Sequence, residues 1–240
     1  MPLKRVLAFS SSRVGNSGYL QTAIPVIKSF LGNKKMNIAF IPFAAVSVDY
    51  KAYTEKVSEA LSGLPYQVIT ADTQNAKKIL EDVEAIMVGG GNTFKLLHQL
   101  YQYDLLELIK SKVNKGIPYI GWSAGSNICS PGIFTSNDMP ITEPESFKAL
   151  SFFTFQVNPH YFNFSIPGHN GETRDDRLKE YGMLNPEVPV IGLPEGTALV
   201  LDAGKLKLTG EGNATLFYHS NGEILKREIA TGKDCSDLLK

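Results

Sequence analysis

Short apolar runs alternate with longer stretches of helical spacing through the first half of the chain. Residues 5–10 (RVLAFS), 36–42 (MNIAFIP), 66–70 (YQVIT), 85–88 (AIMV) and 118–122 (PYIGW) have strand length. Most are apolar throughout, which predicts strands covered on both faces, as in a parallel sheet. Residues 19–30, 50–61, 75–83, 93–100 and 105–115 read as helices between them, the last stopping before Gly116. This β-α alternation predicts a doubly wound sheet with right-handed crossovers. After Pro131 turn residues become dense, and short segments such as 155–157 alternate with loops. From Val188 onward the pattern is of strands, at 189–192, 197–201, 205–208, 214–218 and 223–229. The pairs Ala203-Gly204 and Asn221-Gly222 mark hairpin turns there. No repeat or low-complexity linker interrupts the chain. One α/β domain over residues 1–240, with a β-rich C-terminal portion, is the expected organisation.

An apolar fraction of 43% and a charged fraction of 20% suit a full core. Formal net charge is zero and no Lys/Arg run occurs, so a nucleic-acid surface or basic membrane face is not expected. No stretch approaches the ~20 apolar residues of a membrane helix. The opening MPLKRVLAFSSS has too short an apolar run for a secretory signal and is met at once by Arg13, which favours a buried first strand. Two cysteines far apart, Cys129 and Cys235, make no disulfide framework, and a reducing cytoplasm is the expectation. No cofactor signature is present.

Candidate chemistry concentrates at strand ends. Gly121-Trp122-Ser123-Ala124-Gly125 matches G-x-S-x-G, with a strand before it and a helix start after it. Such a turn exposes the serine hydroxyl in a strained conformation. It aims the Ala124 N–H at an oxyanion on the attacked carbonyl, with the helix N-terminus adding partial positive charge. A helix-capping serine in a tight turn is the plainer alternative. Val88-Gly89-Gly90-Gly91-Asn92-Thr93 also follows a strand and opens a helix. It lacks the spacing of a P-loop or a dinucleotide fingerprint, which favours an oxyanion loop over a phosphate cradle. Among four histidines, His98 falls mid-helix and His219 beside a turn, leaving His160 and His169 in irregular segments as candidate bases. Local residues do not choose between these two. Asp138 and Glu195, both in loops, are candidate orienting acids. Arg174 and Arg177 follow Thr173, a natural N-cap, and either has the fork to grip a carboxylate.

Taken together, VGGGNTF (88–94), GWSAGSN (121–127), TSNDMPI (135–141), NPHY (158–161), GETRDDR (171–177) and IGLPEG (191–196) resemble peptidase E, the α-aspartyl dipeptidase family of serine peptidases. The resemblance covers most of the chain and implies Ser123 as nucleophile and His160, not His169, as base. It leaves Asp138 and Glu195 both open as the third member. It further implies an oxyanion hole from Ala124 with Gly90 or Gly91, Arg174 as reader of an acidic substrate side chain, and no cofactor. The implied fold is a three-layer α/β/α sandwich with a mostly parallel sheet, like the glutaminase domain of class I amidotransferases, where cysteine fills the elbow. A small peptide is the implied partner, and a monomer or homodimer the expected state. The competing expectations are a cyanophycinase-like peptidase or esterase of the same fold, and a non-catalytic phosphate- or nucleotide-binding module.

Overall fold

The structure is a computed structural model that describes residues 3–164, 168 and 170–239. Five parallel strands form its centre: β1 (Val6–Phe9), β2 (Met36–Ile41), β3 (Tyr66–Thr70), β4 (Ala85–Val88) and β5 (Tyr119–Trp122). Their order in the sheet is β3-β2-β4-β5-β1. Strand side chains alternate between faces, so Leu7, Phe9, Ile38, Phe40, Ile120 and Trp122 share one buried cluster. In that layer they meet α1 (Ile24–Leu31) and α2 (Tyr50–Ala60). Val6, Ala8, Ala39, Ile41 and Tyr119 face the other way. There they meet α3 (Ala76–Glu81), α4 (Thr93–Gln102) and α5 (Leu106–Asn114). Each large side chain taken fully out of water contributes about 1.5–3 kcal/mol. The result is the expected three-layer α/β/α arrangement. Edge strand β3 departs furthest from full burial, with Gln67 exposed, and β2 is only half-buried at Met36 and Asn37.

The C-terminal strands divide between two sheets. With the second parallel pair, β6 (Gln156–Asn158) and β7 (Val190–Gly192), counted in chain order, β8 (Thr197–Asp202) and β9 (Lys205–Gly210) extend the main sheet antiparallel beyond β1. Strands β10 (Ala214–Ser220) and β11 (Glu223–Ile229) join β7 and β6 in a separate sheet ordered β11-β10-β7-β6. Both hairpins turn at the expected pairs, with positive φ at Ala203, Gly204, Asn221 and Gly222, as two-residue turns between twisted strands require. Helix α7 (Arg174–Leu184) lays Leu178 against Val190 and Phe217. The small sheet shares its main cluster with the large one through Val157, Ile191 and Leu216.

Two helices depart from expectation. The helix expected from residue 19 begins instead at Ile24, because Leu20 takes φ 55 in a turn and Pro25 presets the first helical turn. The helix after Ser123 is one turn only, α6 (Ala124–Asn127), and gives way to tighter turns in which Cys129 N–H donates to Ser126 O at 3.1 Å and Ser130 N–H to Asn127 O at 3.2 Å. So short a helix contributes little of the expected terminal charge. Among the described residues, no helix is long and apolar enough to cross a membrane.

Candidate active site

Ser123 leaves β5 at φ 53 and ψ −114, a conformation costing an L residue about 1–3 kcal/mol. The surroundings impose it. Its N–H donates to Phe9 O at 3.2 Å, and its carbonyl accepts from Ser126 and Asn127, each at 2.9 Å. The two flanking glycines are needed for close approach. A Cβ on Gly121 would come 2.3 Å from the Gly125 carbonyl oxygen, and one on Gly125 would come 2.2 Å from that of Val88.

His160 lies two residues beyond β6 and Glu195 three beyond β7, so adjacent parallel strands deliver both. The pairing continues past the strand ends, with Leu193 N–H donating to Asn158 O at 2.9 Å and Tyr161 N–H to Leu193 O at 2.8 Å. His160 Nε2 sits 2.9 Å from Ser123 Oγ, and its Nδ1 sits 2.8 Å from Glu195 Oε1. A carboxylate only accepts, so Nδ1 carries the proton and Nε2 is left to accept from the serine hydroxyl. The relay is open to solvent: the side chains of His160 and Glu195 are 39% and 51% exposed.

Asp138 stands elsewhere. Its Oδ2 accepts from the Thr93 N–H at 2.7 Å, at the start of α4, and from Ser136 Oγ at 3.3 Å. Its loop nonetheless braces the strand leading to His160. Asn137 Nδ2 donates to Pro159 O at 2.8 Å, and Asn158 Nδ2 to Asn137 Oδ1 and Thr135 O, both at 2.7 Å. Of the two candidate acids, Glu195 is the one in contact with the imidazole.

Gly90 packs directly on the serine, since a Cβ there would stand 3.0 Å from Ser123 Cβ. The N–H groups of Gly90, Gly91 and Ala124 have no acceptor among the described residues. Arg174 begins α7 behind a capping box of Thr173 and Asp176. Its guanidinium lies 5.9 Å from the ring centre of Phe162, two residues past His160. Burial first, and then the charge of Arg177, pull its pKa below the usual value. Arg177 faces Glu172 at 3.6 Å, whereas Arg174 has no carboxylate partner among the described residues. His98 Nδ1 donates to Glu143 O at 2.8 Å, and His219 is exposed on β10. His169 lies outside the described residues.

Sequence reasoning missed Ser10. It is wholly buried just past β1. Its Oγ accepts from the His160 N–H and donates to Leu193 O, both at 2.8 Å, tying the loops of His160 and Glu195 together. A hydroxyl at the C-terminal end of a central strand was the available signal, since ligands gather along that edge. Ser10→Ala is expected to lower stability by about 1–3 kcal/mol, the cost of orphaning a buried group, as read from urea unfolding.

The model of peptidase family S51 matches residues 6–209. A peptidase E of Shewanella oneidensis is 49% identical over 235 residues, covering 98% of both chains. One from Shewanella amazonensis is 47% identical over 236 residues, covering 98% of this chain and 99% of its own. Among solved structures, a putative peptidase E from Listeria monocytogenes EGD-e superposes with a TM-score of 0.68 at 23% identity, covering 88% of this chain and all of that one. With a family match spanning most of its length and relatives near half identity end to end, this chain belongs to peptidase family S51.

Proposed function

We propose that the protein is a serine-type dipeptidase that cleaves short peptides after an N-terminal aspartate. The observation that carries the reading is the continuous relay Ser123–His160–Glu195, at 2.9 and 2.8 Å. His160 Nε2 takes the hydroxyl proton as Ser123 Oγ bonds to the scissile carbonyl carbon. The Ala124 N–H and the glycine loop then hold the oxyanion, each such donor being worth about 3 kcal/mol. As the C–N bond breaks, His160 passes its proton to the leaving amine. Water, deprotonated by the same imidazole, attacks the acyl carbon, and His160 returns that proton to Ser123 Oγ as the ester bond breaks and aspartate leaves. Glu195 keeps the proton on Nδ1 and stabilises the imidazolium.

Arg174 is the reader of the substrate side chain. Its partly buried guanidinium lacks a carboxylate among the described residues, and Phe162 links it to the segment that carries His160. A reducing cytoplasm suits Cys129 and Cys235, both buried and unpaired.

The test compares Asp-Leu, Asn-Leu, Leu-Leu and a simple ester, with fluorophosphonate labelling of Ser123 alongside. Asp-Leu is expected to be cut fastest. Arg174→Gln should erase that preference, a loss of about 2–5 kcal/mol for a buried charged contact. Equal rates on Asp-Leu and Leu-Leu sink the aspartyl assignment. Absence of labelling sinks the serine mechanism.

A further inference from the structure

One hydroxyl outside the relay holds the glycine loop and the nucleophile strand together. Tyr53, in the middle of α2, contacts three polar groups. Its Oη lies 3.1 Å from Gly90 O, 3.2 Å from Trp122 Nε1 and 3.2 Å from Tyr19 Oη. Chemistry fixes the direction of each bond. An indole N–H only donates and a carbonyl only accepts. Tyr53 therefore spends its single proton on Gly90 O and accepts from Trp122 and Tyr19. Burial pushes its phenol pKa up, so that proton stays in place.

The consequence concerns the next peptide. Carbonyl and N–H of a trans peptide point opposite ways, and the described residues contain no cis bond. With Gly90 O drawn toward Tyr53, the Gly91 N–H is turned away from α2. Gly91 has no side chain with which to hold itself. Its φ is 140, and a Cβ would come 2.2 Å from Ala44 O. The loop must be clamped from outside, and the same hydroxyl engages Trp122, the residue before Ser123. We propose that Tyr53 is a positioning residue that locks the Gly90–Gly91 peptide so that Gly91, not Gly90, supplies the second oxyanion donor. The inference rests on the serine-hydrolase reading above.

Tyr53→Phe, made in the whole chain, removes the hydroxyl. It leaves the ring against Phe40, its edge-on neighbour at 5.0 Å. Turnover of Asp-Leu is expected to fall about 10-fold or more, toward the 10²–10³-fold loss of an oxyanion donor. KM should stay within about 2-fold, because the interaction is made in the transition state. The pH profile should not move, since the His160–Glu195 pair is untouched. Fluorophosphonate labelling should slow in parallel, its phosphoryl oxygen occupying the oxyanion position. A lowered melting temperature with wild-type kcat and labelling rate in the folded protein overturns the proposal. If Tyr53→Phe does not fold, wild type carrying ¹⁵N-glycine decides. On phosphonylation of Ser123, the Gly91 amide proton is expected to move furthest downfield among the loop glycines. The largest shift at Gly90 overturns the assignment. A wild type that neither labels nor cuts Asp-Leu refutes the hydrolase reading itself, a result distinct from an unimpaired Tyr53→Phe.

Discussion

Ser123→Ala is expected to lower turnover of Asp-Leu on the order of 10⁶-fold, the scale of losing the nucleophile from a serine relay. Among the described residues, the serine hydroxyls nearest the elbow are engaged elsewhere. Ser10 Oγ donates to Leu193 O at 2.8 Å, Ser11 Oγ to Arg13 O at 2.6 Å, and Ser126 Oγ to Phe9 O at 2.6 Å. The fold should be indifferent to the change. The backbone bonds that hold the elbow use Ser123 N–H and C=O, which alanine retains. A companion, Ser123→Gly, separates the hydroxyl from the strain. It should be as inactive as the alanine variant yet more stable by about 1 kcal/mol, because glycine accepts the φ of 53 without penalty. Dipeptide hydrolysis and thermal unfolding on the same preparations check both halves. Substantial turnover by Ser123→Ala would mean that the bond is broken by some other group.

The second large effect is at the acid. Glu195→Gln is expected to reduce kcat about 10³-fold. Replacing the orienting carboxylate of a buried triad by its amide costs ~10⁴-fold, and Glu195, half exposed, sits in a more screened setting. The amide fails twice. It offers N–H groups that favour the wrong imidazole tautomer, and it brings no charge to meet the imidazolium. Asp138→Asn should do far less, because Asn keeps an oxygen for the Thr93 N–H. Asp138→Ala should lose about 1 kcal/mol of stability, as deleting a helix-terminal acceptor does. Kinetics of the two amide variants side by side give the answer. A larger loss in Asp138→Asn than in Glu195→Gln would reverse the roles.

These two acids mark where the sequence stops being informative. A local run of residues carries its own signal. GWSAG after an apolar run specifies strand, bend and helix start together, and the glycine loop likewise lies between β4 and α4. Pairings across the fold carry no local mark. Glu195 meets His160 across 35 positions, Asp138 meets Thr93 across 45, and Ser10 meets His160 across 150. Both acids sit in loops rich in turn residues, so nothing nearby says which one faces an imidazole. Tyr53 reads as an ordinary core position of an amphipathic helix, because its ring is core and only its oxygen is not. The C-terminal strands were legible as strands from their alternation and turn pairs. Their division between two sheets was not, since it depends on β8 finding β1 and β10 finding β7.

That division bears on how the enzyme would fail. Ser123 follows a strand of one hydrogen-bonded ladder and His160 a strand of another. Besides the Ser10 bridge, the loop contacts and the buried bonds of Asn127 Nδ2 to Val157 O and of Val157 N–H to Ser130 Oγ, both at 2.8 Å, what keeps them in register is the fit of side chains such as Val157, Ile191 and Leu193 in the seam between the ladders. A slippage of a few tenths of an ångström along that seam would break a 2.9 Å alignment while leaving each ladder whole. Damage there would surface as a mistuned catalyst well ahead of any melted protein.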